Sequence, residues 1–235
     1  MNPLDLSVLS FLNSFAQRSF RFDEFVEFLS ESNLLKAAVV FAIIWWLWFQ
    51  NEDVRRKREA LLAAMIASIP ALAIAWALSQ LFYRPRPLNE PQFLFRLPYG
   101  ESASGWVNQS SFPSDHAVLF FALATRIFFA SRRAGWFTFV YVTTVTCLPR
   151  LYLGAHYLTD ILGGGAIGMS LAWLANRQAI REPLTNWALR WLDARPAQFY
   201  CYSFLVTYVM ADLFDPILKM LKFANLIIHG HSLPL

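Results

Sequence analysis

Long apolar stretches separated by short polar segments are the feature that most constrains how this chain can fold. Six of them reach or approach the length of about 20 mostly apolar residues that a membrane helix needs. They are residues 34–50, 60–82, 116–131, 135–149, 157–175 and 198–214. Charged residues make up 15% of the chain, whereas a soluble domain carries about 25%. The sequence therefore predicts an all-α, polytopic membrane helical bundle of about six transmembrane helices, folded as a single domain over 1–235.

The two ends of the chain do not fit the pattern of a membrane span. Residues 1–33 mix phenylalanines with acidic residues, which is typical of an interfacial helix or a helical hairpin. Residues 215–235 predict a short amphipathic tail that begins near Pro216. Neither end is therefore predicted to cross the membrane.

The basic residues predict the orientation of the spans. Three loops between spans lie on one side of the membrane, and their basic residues are 55–58, Arg132, Arg133, Arg177 and Arg181. The positive-inside rule makes this side cytoplasmic. The opposite, extracytoplasmic side then holds the loop 83–115, the turn around Arg150 and both chain ends. We expect a multi-pass membrane protein that has the bilayer as a partner and does not bind nucleic acid.

Several arginines lie on the extracytoplasmic side, where the same rule does not expect them. Charges at membrane edges are costly and indicate a functional site. In "YRPRP" (83–87), prolines end the helix and hold Arg84 and Arg86 on an extended chain. Each guanidinium could bind two phosphate oxygens at once. The alternative is a pair of arginines whose charged ends reach the lipid headgroups.

A second polar cluster, Pro113-Ser114-Asp115-His116, stands directly before the third span. Ser114 or Asp115 is predicted to cap that helix. Free N–H groups at a helix N-terminus also bind anions, phosphate above all. His116 would then stand beside the anion and could donate a proton to a leaving oxygen. The segment therefore fits both a helix cap and half of an active site.

The third cluster is "PRLYLGAHYLTD" (149–160). His156 and Asp160 are four residues apart, so they would share one face of a helix. The carboxylate would fix the tautomer of the imidazole and leave its other nitrogen free to attack. Arg150 could bind the same anion, although a purely structural His–Asp pair would also explain the spacing.

The three clusters together predict phosphoryl transfer through a covalent phosphohistidine. They would bring a histidine nucleophile, a histidine acid and arginine ligands to one side of the membrane. Clustered carboxylates that could hold Mg²⁺ are missing from these motifs. We therefore expect neither a metal nor another cofactor.

These motifs resemble those of the type 2 phosphatidic acid phosphatase superfamily, which are K-x6-R-P, P-S-G-H and S-R-x5-H-x3-D. The motif-bearing region here covers residues 79–160. The resemblance implies His156 as the nucleophile, Asp160 as its orienting carboxylate and His116 as the general acid. It also implies a set of phosphate-binding residues, namely Arg86, Ser114 and Arg150.

The chain departs from the superfamily pattern at three positions. The motif lysine is replaced by Ser79, and Arg84 is expected to supply the missing phosphate-binding charge. The serine before the motif arginine is Pro149. The motif glycine is Asp115, which is also placed beside the phosphate. An aspartate at this position is found in the bacterial undecaprenyl-diphosphate phosphatase branch, which this chain most resembles.

The resemblance implies a membrane lipid phosphatase that converts undecaprenyl diphosphate into undecaprenyl phosphate at the extracytoplasmic face, a step of carrier recycling for peptidoglycan biosynthesis. Alternatives within the enzyme class are a phosphatidylglycerophosphate or lipid A phosphatase and a phosphotransferase. An alternative of another class is a non-catalytic lipid-binding or transport protein. The intact set of His156, Asp160 and His116 favours an enzyme, because a binder needs arginines but no nucleophile.

A glycine-rich stretch, "GGGAIG" (163–168), lies within the fifth predicted span. Gly164 and Gly168 are four residues apart, which is typical of a face where two membrane helices pack closely. We therefore expect helix packing here and not a phosphate-binding loop.

Overall fold

Residues 2–91, 93–100 and 109–213 are described by a computed structural model of the chain, and all regular structure among them is helical. The helices are α1 (Pro3–Asn13), α2 (Phe20–Glu31), α3 (Val39–Trp48), α4 (Val54–Leu81), α5 (Asp115–Ala130), α6 (Arg132–Tyr141), α7 (Leu148–Tyr152), α8 (Leu158–Leu174), α9 (Gln178–Ala194) and α10 (Pro196–Ala211). Shorter π-helical or 3-10 turns lie at Leu34–Ala38, Pro87–Asn89 and Val142–Cys147. The predicted all-α fold is confirmed.

Contacts between residues divide the chain into two compact units, Met1–Trp187 and Ala188–Leu235. The first unit contains α1 to α8 and every residue of the predicted site. The second contains the end of α9 and all of α10. A single domain over 1–235 stays a prediction. The tail predicted at 215–235, with Pro216, lies outside the described residues.

The helices differ in whether they are long enough to cross a membrane. Among the described residues, α4 alone qualifies as a single helix, by its 28 residues and its composition. Two bent pairs, Phe20–Glu31 with Leu34–Trp48 at 57° and Leu158–Leu174 with Gln178–Ala194 at 80°, raise the number to three if each pair is one span. Helices α5 and α8 have 16 and 17 residues, or about 24–26 Å against a hydrocarbon core of about 30 Å. One to three spans therefore meet the length criterion where about six were predicted.

Helices α5 and α8 approach each other closely along a glycine face. A Cβ atom added to Gly164 would lie 2.6 Å from the Ser114 carbonyl oxygen, and one added to Gly168 would lie 2.1 Å from the Val118 carbonyl oxygen. Real Cβ atoms essentially never come so near to a backbone. The predicted close packing at these glycines is confirmed, and it sets the start of α8 against the start of α5.

The N-terminal segment folds as two helices with apolar side chains on the outside. Its exposed large apolar residues are Leu4, Leu6, Phe11, Phe15, Phe20, Phe22, Phe25 and Phe28. The buried side contains two acidic residues, Asp5 and Asp23. The segment is therefore helical, as predicted, and the buried acids connect it to the rest of the first unit.

Candidate active site

The three predicted clusters meet at the N-terminal ends of α5 and α8. The Ser111 amide donates to the Arg84 carbonyl oxygen at 2.8 Å, which joins the first cluster to the segment before α5. The Ser114 amide donates to the Asp160 carbonyl oxygen at 3.2 Å, which joins the second cluster to the third. The structure thus brings together residues that lie far apart in the sequence.

The imidazole of His156 lies in the turn between α7 and α8 and is only 2% exposed. Its Nδ1 atom lies 2.8 Å from the Ser111 carbonyl oxygen. Because a carbonyl oxygen only accepts, Nδ1 carries the hydrogen and Nε2 is the bare nitrogen. Burial and, to a smaller extent, the positive charge of Arg86 lower the pKa of His156 to about 3. His156 is therefore neutral, as a nucleophile must be.

Asp160 does not orient His156 in the way that the sequence predicted. His156 precedes α8, whereas Asp160 lies in its first turn, so the two do not share a helix. The Nδ1–Oδ2 distance is 3.9 Å, which is too long for a hydrogen bond. Asp160 Oδ2 instead accepts from the Tyr157 amide at 2.7 Å and caps α8. The direct orientation was a wrong prediction, because the carboxylate satisfies a helix end and the Ser111 carbonyl holds the ring.

The second histidine, His116, stands in the first turn of α5 between two charged partners. Its Nδ1 lies 2.8 Å from Asp115 Oδ1, and its Nε2 accepts from Arg150 Nη2 at 2.7 Å. The same Asp115 oxygen accepts from the His116 amide at 2.7 Å. Asp115 was predicted beside the phosphate, and the structure places its carboxylate against His116, the predicted general acid.

Arg150 is buried and carries a donor that is still available. Its Nη2 bonds His116, while its Nε is buried and has no hydrogen-bond partner among the described residues. A buried donor without a partner costs free energy. A phosphate oxygen would satisfy it, which is consistent with the predicted role of Arg150.

Arg86 and Ser114 line the same region. The Arg86 side chain is buried, and its Nη1 donates to the Ala155 carbonyl oxygen at 3.3 Å, directly before His156. Burial lowers the pKa of Arg86 to about 10, so it stays charged at neutral pH. The Ser114 hydroxyl accepts from the Ala117 amide at 3.4 Å, as predicted for a cap of α5. Phosphate binding by either residue stays a prediction.

Arg84, which was expected to supply the missing phosphate-binding charge, bonds two carboxylates in this structure. Its Nη1 donates to Asp160 Oδ1 at 2.6 Å, and its Nη2 donates to Asp5 Oδ2 at 2.7 Å. The guanidinium also lies 3.8 Å from the ring centroid of Tyr157. Ser79, at the motif lysine position, is half-buried and bonds the Trp76 carbonyl oxygen of its own helix. Phosphate binding by Arg84 stays a prediction, and any phosphate would share its charge with two carboxylates.

Sequence reasoning missed two residues that hold this site. Ser111 acts through its backbone carbonyl, which every residue type has, so no sequence motif could identify it. Asp5 lies in α1, far from the motifs, yet its carboxylate reaches Arg84. The signal for Asp5 was a lone acid within the apolar stretch "PLDLSVLSFL", since a charge in such a setting calls for a partner.

With the site described, the chain can be compared with known proteins. Residues 59–182 match the model of the PAP2 superfamily. Undecaprenyl-diphosphatase BcrC of Bacillus subtilis (strain 168) is 26% identical over 173 residues, which cover 73% of this chain and 83% of that protein. The bacitracin transport permease protein BcrC of Bacillus licheniformis is 25% identical over 168 residues, which cover 72% and 77%.

One solved structure is also similar, that of a transmembrane PAP2 type phosphatidylglycerolphosphate phosphatase from Bacillus subtilis. It has a TM-score of 0.49 and 19% sequence identity, and the match covers 72% of this chain and 81% of that chain. The family match extends over more than half of the present sequence, through the segments that carry all three motifs. The chain therefore belongs to the PAP2 superfamily.

Proposed function

We propose that this membrane lipid phosphatase hydrolyses undecaprenyl diphosphate to undecaprenyl phosphate through a phosphohistidine on His156. The observation that carries the proposal is the state of His156, a buried neutral imidazole with Nδ1 bonded to the Ser111 carbonyl and Nε2 bare. Two buried arginines, Arg86 and Arg150, accompany it. A neutral imidazole can attack a phosphorus atom, and the two arginines can hold the phosphate oxygens with fixed positive charge.

The first chemical step forms a bond from His156 Nε2 to the terminal phosphorus and breaks the phosphoric anhydride bond. The electron pair of that bond leaves with the bridging oxygen, which becomes part of undecaprenyl phosphate. His116 donates a proton to this oxygen from Nε2, so Nε2, which only accepts in the structure, must take up a proton before this step. Because its Nε2 accepts from Arg150 Nη2 at 2.7 Å, Arg150 must turn its donor from His116 to the phosphate when the substrate binds.

The second step returns the enzyme to its starting state. Water attacks the phosphohistidine, the N–P bond breaks and inorganic phosphate is released. His116 Nε2, now without its proton, accepts one from the attacking water, so the proton balance over both steps closes. The reaction needs no group beyond the residues named, which supports the proposal of metal independence.

The substrate and the membrane side follow from separate arguments. The name of the Bacillus subtilis relative supports undecaprenyl diphosphate, as does Asp115, the residue that this chain shares with that branch of the family. The loop basic residues support an extracytoplasmic site in the bacterial cytoplasmic membrane. The substrate would reach the site from the bilayer with its diphosphate outside.

A transport function is the second candidate, and one observation favours it. The Bacillus licheniformis relative is named as a transport permease. A transporter or a lipid-binding protein would need the arginines but no bare imidazole nitrogen held beside them. Phosphatidylglycerophosphate and lipid A remain rival substrates for the enzyme, and a lipid acceptor in place of water would make it a phosphotransferase.

Phosphate release by the purified protein in detergent tests the proposal. Undecaprenyl diphosphate, phosphatidylglycerophosphate and lipid A are supplied separately, each with EDTA present. We expect release from undecaprenyl diphosphate and a loss of at least about 1000-fold in His156→Ala. The control is Thr144→Ala, an exposed residue whose hydroxyl bonds the Val140 carbonyl of its own helical segment.

Each of the other results contradicts a named part of the proposal. Activity retained in His156→Ala would contradict the phosphohistidine. Inhibition by EDTA would contradict metal independence, and faster release from another lipid would reassign the substrate. Binding of the diphosphate without any release by the wild-type protein would favour the transport candidate.

A further inference from the structure

We propose that Asp5, in the N-terminal helix α1, is a positioning residue for the reaction at His156, acting through Arg84 and the first turn of α8. The inference rests on the proposed function only in assigning His156 as the nucleophile. Asp5 lies outside residues 59–182, which match the family model. This chain thus completes its site with a segment beyond the family-matched region.

The carboxylate of Asp5 is fully buried and fully bonded. Its Oδ1 accepts from the Thr159 amide at 2.9 Å. Its Oδ2 accepts from the Thr159 hydroxyl at 2.7 Å, from Arg84 Nη2 at 2.7 Å and from Asn2 Nδ2 at 2.8 Å. Burial by itself would raise the pKa of Asp5, but the bonds from Thr159 and Arg84 outweigh it and lower the pKa. Asp5 is therefore a negative charge held at the start of α8.

Arg84 links this charge to Asp160. One terminal nitrogen, Nη2, bonds Asp5, and the other, Nη1, bonds Asp160 Oδ1 at 2.6 Å and the Thr159 hydroxyl at 2.8 Å. The guanidinium plane is thus fixed at both ends by buried carboxylates, in a geometry that a single carboxylate could not impose. Without Asp5, the Arg84 guanidinium would be held only through Nη1 and the ring of Tyr157, and Nη2 would no longer be fixed.

Asp160 passes this constraint to the reacting group. Its Oδ2 bonds the amide of Tyr157, the residue next to His156, and its carbonyl oxygen accepts from the Ser114 amide. A movement of Asp160 would therefore shift both His156 and the start of α5, where His116 stands. Misplacement of a reacting group by about 1 Å can cost about 100-fold in rate. Asp5 touches none of the reacting atoms, so its effect should appear in the chemical step and not in substrate binding.

Kinetics of Asp5→Asn, at substrate concentrations spanning KM, test the inference. The amide keeps the shape of the side chain but loses the charge and one acceptor. We expect kcat to fall about 10- to 100-fold and KM to stay within about threefold. Rapid quenching should show slower formation of the phosphoenzyme. Ser7→Ala is the matched control, an exposed residue of the same helix whose hydroxyl bonds the Pro3 carbonyl oxygen, and it should leave both constants unchanged.

A double-mutant cycle separates positioning from a general loss of structure. Because part of the constraint passes through Arg84, the loss in the double variant Asp5→Asn/Arg84→Gln should be smaller than the product of the two single losses. Thermal unfolding gives the folded fraction of each purified variant, and each measured rate is divided by that fraction. Unchanged kcat per folded Asp5→Asn molecule, or independent and multiplicative losses in the double variant, would overturn the inference.

A second variant keeps the inference testable if Asp5→Asn does not fold. Thr159→Ala removes one bond to Asp5 and one to Arg84 while leaving both charges in place, and we expect a loss in kcat of about 5- to 10-fold. No loss in this variant would overturn the inference. The assays can use any phosphate ester that the wild-type protein turns over. Failure of undecaprenyl diphosphate as a substrate would therefore be recognised separately.

Discussion

At the scale of single residues, the two histidines hold their protonated nitrogens against different kinds of acceptor. His156 donates to the Ser111 carbonyl and His116 to the Asp115 carboxylate, each at 2.8 Å. A carbonyl carries no net charge, whereas a carboxylate favours a positively charged ring. The acceptor beside Nδ1 therefore distinguishes the two histidines: a neutral carbonyl suits the nucleophile His156, and a carboxylate suits the proton donor His116. This gives Asp115 a role that a glycine at the same position could not fill.

Replacing Asp115 by asparagine tests this role. The amide oxygen can still accept from His116 Nδ1, but the negative charge is gone. We expect kcat to fall about tenfold, the equivalent of about 1.4 kcal/mol for one charge-assisted hydrogen bond. The thermal unfolding temperature should stay near that of the wild type, because the Asp115 side chain is 52% exposed. Equal turnover of every lipid phosphate tested by the two forms would contradict the prediction.

Arg150 allows a second test at this scale. Arg150→Lys keeps the charge but loses the planar fork that bonds His116 and leaves Nε free for a phosphate oxygen. We expect kcat/KM to fall about 10- to 100-fold. Arg133→Lys, an exposed change in the first turn of α6, serves as the control. A similar loss in both variants, or in neither, would argue against a specific role for Arg150.

At the scale of elements, the contact between α5 and α8 decides whether the motifs can meet. The Val118 carbonyl occupies the space that a side chain at Gly168 would need. Moving α8 outward would carry His156 and Asp160 away from the start of α5. The glycines therefore act on the reaction by setting the distance between two helices.

Gly168→Ala should separate the helices, because its new Cβ would lie 2.1 Å from a backbone atom that cannot yield. We expect a destabilisation of about 1–3 kcal/mol and a loss of activity. Gly165→Ala is the control on the same helix, since its Cβ would meet the Phe121 ring at 3.2 Å, and a ring can shift. Thermal unfolding and phosphate release measure both effects. The idea fails if the two variants are equally stable and active.

The same elements show how far the sequence could predict the site. Span ends on one side of a membrane must lie near each other, so the meeting of the three motifs was predictable. The role of Arg84 was not, because the second carboxylate that engages it lies 79 residues upstream, in α1. Nor was the position of Asp160, since a spacing of four residues implies a shared helix face only if the helix includes both residues. Here α8 begins at Leu158, after His156.

At the scale of the whole molecule, the arrangement along α5 separates the site from the basic loops. The site lies at the N-terminal end of α5, and Arg132 and Arg133 follow its C-terminal end. Its 16 residues place these ends about 24 Å apart. If the basic end faces the cytoplasm, the site faces outward. The segment 93–100 then faces outward too, because a Cβ at Gly154, in the turn before His156, would touch the ring of Phe95.

Labelling of single cysteines in intact cells tests this orientation. The background replaces Cys201, which is exposed, by serine, and keeps Cys147, which is buried. Leu94→Cys, at a position that is 97% exposed on the site side, should react with a membrane-impermeant maleimide. Ala179→Cys, exposed near the opposite end, should react only after the cells are permeabilised. Neither change alters a charge, so the loops keep the basic residues that set the orientation. The reverse labelling pattern would place His156 on the cytoplasmic side and require a substrate presented there.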